Sequence, residues 1–356
     1  MRGERRQRSH GGWLKKTVLG VSLAMLAPLG ISVAATPAAH AAFDPAGFDF
    51  WVDSAEMGPI KTRVFRAADG NTSRVVYALD GMRATQVLNG WENDTNVVGA
   101  LTAANINVVM PVGGESSFYA DWAEPSSILG ISGSSSGSGG SSSGSSSGSG
   151  AFQMFSGGPG KSYRYTWETF LTQDLRNALR DRLGFQSVRN GVFGLSMGGS
   201  AALTLAAYHP DQFSFAGSFS GYLNISAPGM REAIRLAMVD AGGYNVDSMA
   251  PPWGSQWLRM DPFVFAPRLI ANNTRLWVSA ASAIPSGGDV TGVMSVIQGM
   301  PLEALALVNT RAFQVRMATL GAGNVTFDFP ATGVHNWRNW EAEVHRMIPD
   351  LSNNIG

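Results

Sequence analysis

Seven short apolar runs recur along the chain, at 62–66 (TRVFR), 74–79 (RVVYAL), 106–111 (INVVMP), 190–195 (NGVFGL), 213–219 (FSFAGSF), 275–280 (RLWVSA) and 324–329 (NVTFDF). Several are apolar almost throughout, the pattern of strands buried on both faces. Between them, apolar residues return at helical spacing near 167–183, 197–208, 229–240, 301–318 and 338–349. Strands alternating with helices predict an α/β fold: a mostly parallel central sheet with helices on both faces.

Two segments break this pattern. Residues 132–150 are serine and glycine only. Such a tract cannot bury a core and reads as a flexible loop with a root-mean-square span of roughly 25 Å. The strand pattern continues on both sides, so the tract is an insertion within one domain, 42–356, rather than a boundary. The other segment is the N-terminus. A basic stretch ending at Lys16 precedes the apolar run TVLGVSLAMLAPLGISVAA and then TPAAHA, with Ala39 and Ala41 in a small-x-small pattern. This predicts a signal peptide over 1–41, cleaved after Ala41 to leave no membrane anchor, and a secreted or cell-envelope protein. An uncleaved anchor is the competing reading, weakened by Gly20, Pro28 and Gly30. Arg5-Arg6 is a poor twin-arginine match.

Charge and composition narrow the class. The formal net charge of the 356 residues is zero, but residues 1–41 hold six of the 26 bases and one of the 26 acids. The body is therefore mildly acidic, which argues against nucleic acid as a partner. With no cysteine, disulfides, thiol redox chemistry and thiolate metal sites are excluded. Nothing in the sequence asks for a cofactor or metal.

The candidate chemistry centres on GLSMG, residues 194–198. The G-x-S-x-G spacing is weak alone. Here it lies between a strand and an Ala-rich helix, with small residues where that helix must pack closely, which is the context of a nucleophile elbow at Ser196. A capping serine in an ordinary Gly-rich turn is the bland alternative. A serine hydroxyl needs a base. Of five histidines, His10 and His40 lie in the leader, His209 ends the helix after the serine, and His345 lies mid-helix. His335, in the loop after the last strand, fits the chain order serine, acid, histidine. For the acid, Asp289 lies where a generic hydrolase would place it and Glu303 opens a helix; the pattern does not choose between them. The oxyanion hole calls for two backbone N–H groups: Met197, next to the nucleophile, and Met82 in the loop LDGMRA.

At this point the chain resembles the secreted antigen 85-type mycolyltransferases, the trehalose mycolyltransferase/diacylglycerol acyltransferase family. The matching segments run in order: YALDGMRA, NGWENDT, VVMPVGGESSFYADW, YTWETFLTQDL, GLSMGGSAALTLAAYHPDQF, DAGGY, ANNTRLWV and FDFPATGVHNWRNW. The resemblance implies an α/β-hydrolase fold and a Ser-Glu-His triad of Ser196, Glu303 and His335. The family's acid precedes the histidine by 32 positions, as Glu303 does here, which favours it over Asp289. Met82 and Met197 fall on the oxyanion positions. Asp80, Arg83 and Trp337 fall where the family contacts trehalose, with Asn224 and Asn336 as further contacts. There are departures: the Ser/Gly tract and AFQMFSGGPGKSY replace a segment often disulfide-linked in the family, the cysteine after LWV is absent, and Asn224 stands where many members have aspartate.

The implied reaction moves a mycolyl group from trehalose monomycolate to a second trehalose monomycolate or to cell-wall arabinogalactan through a serine acyl-enzyme. Two rivals share the same residues. One is a secreted carboxylesterase whose acceptor is water. The other is a non-catalytic wall or matrix-binding protein, since some family members bind fibronectin and some have lost the nucleophile.

Overall fold

The computed structural model describes residues 43–127, 158–286 and 293–356. The leader, the Ser/Gly tract and Asp289 lie outside the described residues.

An antiparallel hairpin, β1 (Phe48–Ser54) and β2 (Gly58–Phe65), opens the fold. Then come β3 (Val75–Leu79), α1 (Gly90–Asn93), α2 (Val97–Ala103) and β4 (Asn107–Pro111). A composite rod follows: α3 (Trp167–Thr169), a π-helical turn (Phe170–Asp174) and α4 (Leu175–Leu183). Next are β5 (Asn190–Leu195), α5 (Met197–Tyr208), β6 (Phe213–Phe219), α6 (Met230–Gly242), α7 (Val246–Met249), α8 (Ser255–Arg259) and α9 (Pro262–Ala271). β7 (Arg275–Ser279), α10 (Val293–Thr319), β8 (Val325–Asp328) and α11 (Trp337–Asn354) complete it. The strands form one sheet in the order β1-β2-β4-β3-β5-β6-β7-β8, antiparallel at β1/β2 and β2/β4 and parallel elsewhere.

β3, β4 and β5 are buried at every residue, as their unbroken apolar runs require. α1, α2 and α11 pack one face of the sheet around Trp91, Leu101, Val344 and Met347. The elbow helix α5 packs the other, with α6, α9 and α10 around it. All of α5 from Met197 to Ala207 is buried; only small side chains let a helix sit that close to strands on one side and helices on the other. The strand unread in the sequence is β1. Its burial alternates, with Phe50 and Val52 inward and Asp49, Trp51 and Asp53 outward, the period of two expected at a sheet edge.

At the far end of α5 from Ser196, about 18 Å along a 12-residue helix, a clamp joins three segments. The buried Glu168 carboxylate accepts from Arg259 (2.7 Å) and faces His209 Nε2 (2.7 Å), the C-cap of α5. These groups line a cleft of about 370 Å³ with Asp121, Thr172, Gln173 and Gln256. Burial alone would raise the Glu168 pKa; the bonds from His209 and Arg259 outweigh it and bring it down to about 2. A depressed carboxylate stabilises the fold above its unfolded pKa and loses that contribution as pH falls. Glu168→Gln should therefore cost about 3 kcal/mol at pH 7, and the gap to wild type should narrow steadily below about pH 4.5 in urea melts. A gap that does not change with pH would mean that the charge is not what stabilises.

Candidate active site

The carboxyl ends of the parallel strands converge on one edge, where α/β folds bind ligands. Ser196 follows β5 at φ 52°, ψ −120°, a backbone region that costs a non-glycine residue about 1–3 kcal/mol. The surroundings hold it there. Its N–H donates to the Phe219 carbonyl at 2.8 Å. A Cβ on Gly194 would lie 2.5 Å from the Gly198 carbonyl, and one on Gly198 would lie 2.3 Å from the Asp80 carbonyl oxygen. Both glycines of the motif are thus fixed by backbone-to-backbone approach. The Met197 N–H, first of α5, has no acceptor within its helix. Met82 sits in the turn after β3 and its carbonyl accepts from the Ser116 N–H at 2.9 Å.

The acid and base come from different elements. Glu303, in α10, is fully buried. Its Oε1 accepts from the Ser220 hydroxyl (2.8 Å) and the Ala281 N–H (2.6 Å), and its Oε2 lies 2.9 Å from His335 Nδ1. With the proton on Nδ1 directed at the carboxylate, Nε2 is the nitrogen left to act as base. Trp340 packs edge-on against the imidazole, 4.9 Å between centroids, and its indole N–H donates to the Ser220 hydroxyl at 2.9 Å. This constellation can orient a general base and hold charge on it.

Ser220, Tyr222 and Trp340 are site residues that the sequence reading missed. Ser220 follows β6 at φ 50° and joins Glu303 to Trp340. Tyr222 is buried, which raises its phenol pKa against a lowering pull from the nearby Ser196 side chain. Reciprocal bonds hold its backbone to Ser200, one turn beyond Ser196: its N–H donates to Ser200 Oγ at 2.9 Å, and that hydroxyl donates to its carbonyl at 3.0 Å. A serine just past the end of a central strand was the available signal for Ser220. The aromatic pair has none in a chain with ten tryptophans and seven tyrosines.

The residues expected to meet sugar divide. Asp80 is buried at the end of β3, its oxygens accepting from the N–H groups of Gly81 and Gly90 at 2.7 Å each. The Trp337 ring covers Gly90, where a Cβ would lie 2.3 Å from the indole. Arg83 is exposed and ion-paired with Asp240 of α6. Asn224 takes the Asn309 side-chain oxygen of α10 on its N–H at 3.0 Å. Asn336 is the N-cap of α11, accepting from the Asn339 N–H at 3.1 Å. Asp80 and Trp337 are thus brought together, while Asn336 is engaged in starting a helix.

The chain is 36% identical to a diacylglycerol acyltransferase/mycolyltransferase Ag85B of Mycolicibacterium smegmatis, over 97% of this chain and 98% of that one. The chain belongs to the Ag85 diacylglycerol acyltransferase/mycolyltransferase family. An Ag85C of Mycobacterium avium is 39% identical over 79% of this chain and 71% of its own. The family model Esterase ("Putative esterase") matches residues 132–351. Among solved structures, Mycobacterium tuberculosis MPT51 superposes with a TM-score of 0.68 at 28% identity, over 87% of this chain and 99% of that one. The eight-stranded sheet is accordingly an α/β-hydrolase fold, as the family and its relatives require.

The environment of Asp80 generates a measurable consequence for this family member. Burial, with no cation bonded to it, pushes its pKa up to about 6, against the pull of the two N–H groups; Asp94 adds to the rise. The folded state then binds the proton more tightly than the unfolded chain, so stability is lost as pH climbs from about 4 through 6. Relative to wild type, Asp80→Asn should gain up to about 3 kcal/mol between pH 4 and pH 7. Denaturant melts at both pH values check this, and an Asn variant that loses ground would refute it.

Proposed function

We propose that the protein is a serine acyltransferase that moves a mycolyl group from trehalose monomycolate to a second trehalose monomycolate or to arabinogalactan. The observation that carries this is the Glu303–His335 pair, joined through Ser220 to the end of β6 that also holds the Ser196 N–H, in a chain of this family. Ser196 Oγ attacks the ester carbonyl carbon as His335 Nε2 takes its proton. The tetrahedral oxyanion lies against the N–H groups of Met197 and Met82. Its collapse breaks the bond to the sugar oxygen, which leaves with the proton from His335. A second sugar hydroxyl then gives its proton to His335 and attacks the acyl carbon, and Ser196 departs reprotonated. Glu303 fixes the tautomer and stabilises the imidazolium at each transfer. Asp80 and Trp337, a carboxyl and an indole side by side, supply the sugar-binding mouth that favours a carbohydrate acceptor over water.

Incubation of the protein with trehalose monomycolate should yield the dimycolate, and Ser196→Ala should yield none. Glu303→Gln should stay folded and lose at least about a thousandfold in transfer rate, since losing the orienting carboxylate of a triad costs about 10⁴. Free mycolic acid as the main product under excess trehalose would turn the reading to the carboxylesterase. No product at all would reject both. The leader pattern at 1–41 supports export to the cell envelope, where such a donor resides. Mass spectrometry of protein recovered from the medium should find Ala42 at the N-terminus; retention of the leader would count against it.

A further inference from the structure

The longest helix, α10, is apolar on two sides. Its inner side, through Ala306, Phe313 and Met317, is buried in the core. Its outer side repeats at three- and four-residue spacing through Pro301, Ala304, Val308, Arg311, Val315 and Ala318, all exposed. Val308 is 67% and Val315 66% exposed. By contrast, α11 turns Arg338, His345 and Arg346 to solvent, the usual polar outer face of a surface helix. An outer face of valine and alanine is that of a helix with something still to cover it.

The stripe runs into the mouth of the site. Met300 and Leu302, 38% and 37% exposed, stand between Gly299 and the Glu303 turn, and the Gly299 carbonyl accepts from the His335 N–H at 3.4 Å. Ile284, 58% exposed, accepts on its carbonyl from Gly333, two residues before His335, at 2.7 Å. From Pro301 to Ala318 the stripe extends for about 26 Å of helix axis. Between 298 and 319 the one carboxylate, Glu303, is fully buried, while Arg311 is exposed and lies 3.4 Å above the Phe329 ring. Residues 298–319 therefore offer apolar side chains and positive charge, with no exposed acid among them.

We propose that this face docks on a lipid surface, with α10 lying in the interface plane and the His335 mouth held against the layer that supplies the acyl donor. The inference rests on the acyltransferase reading for its purpose, because a long acyl chain drawn through water would expose every methylene. The geometry is that of an interfacial helix, whose apolar face enters the headgroup boundary while cations meet anionic lipid.

The chain has no cysteine, so a single introduced thiol can report contact in the full-length protein. Val308→Cys, labelled with nitrobenzoxadiazole, should shift to the blue and brighten severalfold on addition of phosphatidylcholine–phosphatidylglycerol vesicles. The same label at Val188, beyond the opposite end of β5, should not change. Both responses should persist in Ser196→Ala, which separates failure of docking from failure of the catalytic reading. Val308→Asp/Val315→Asp should lose at least about tenfold in transfer from a vesicle-borne donor, while hydrolysis of a soluble short-chain p-nitrophenyl ester stays within about twofold. A label at 308 that ignores vesicles, or equal losses on both substrates, would overturn the proposal. So would a label that brightens with protein concentration alone, which would assign the face to a second copy of the chain.

Discussion

The Glu303 carboxylate is the bond on which the rest of the site depends. It is fully buried and accepts from Ser220 at the end of β6, from Ala281 just after β7, and from His335 in the loop that starts α11. A buried carboxylate short of partners costs several kcal/mol, so each contact is a condition on the others. Ser220 is tied in turn to Trp340, which packs on the imidazole from α11. The ring closes only when β6, β7, α10 and α11 are all in place. Orientation of the His335 imidazole is therefore a property of the assembled half of the sheet, and no local segment contains it.

Ser196 depends on the opposite device: a short segment held in strain by backbone contact. Ser196 stays at positive φ because Gly194 approaches Gly198, Gly198 approaches the Asp80 carbonyl, and the Phe219 carbonyl holds the serine N–H. A methyl group at either glycine would push apart β3, β5 and α5 at the point where the hydroxyl is presented. The same contacts bring the Asp80 loop, with Met82 two residues on, beside the start of α5, so the approach of both proposed oxyanion N–H groups follows from the approach of the glycines.

This difference explains what the sequence disclosed. The seven apolar runs all became strands of the sheet, and in β3, β4 and β5 the signal is continuous because the strand is buried on both faces. The elbow was legible because the residue types it needs, Gly194, Ser196 and Gly198, lie within five residues. The pairing of Glu303 with His335 was not legible from pattern: the two lie 32 residues apart, α10 begins well before the predicted 301, and family resemblance alone favoured Glu303. β1 was missed because an edge strand alternates and Asp49 and Asp53 close off its three apolar residues on either side. Ser220 and Tyr222 were missed because their roles come from what β6 lies beside. Asn336 was expected as a sugar contact from the resemblance, and its side chain also caps α11.

Two buried carboxyls show how neighbours divide structural from functional tasks. Glu168 and Asp80 are both nearly removed from water. Glu168 has an arginine and a histidine against it and titrates at about 2, so its charge stabilises the fold throughout the neutral range. Asp80 has two backbone N–H groups, the nearby acid Asp94 and no bonded cation, and titrates at about 6. A carboxylate held in that state at neutral pH opposes folding. A fold selected only for stability would place an asparagine there, which could keep a bond to one of the glycine amides without the charge. A hydroxyl donating to Asp80 from outside would supply the stabilisation that the protein leaves out, and the bond would be stronger for being made to a desolvated charge. The imidazole is held by a carboxylate with its partners in place, whereas the Asp80 carboxyl is left with room for a further donor.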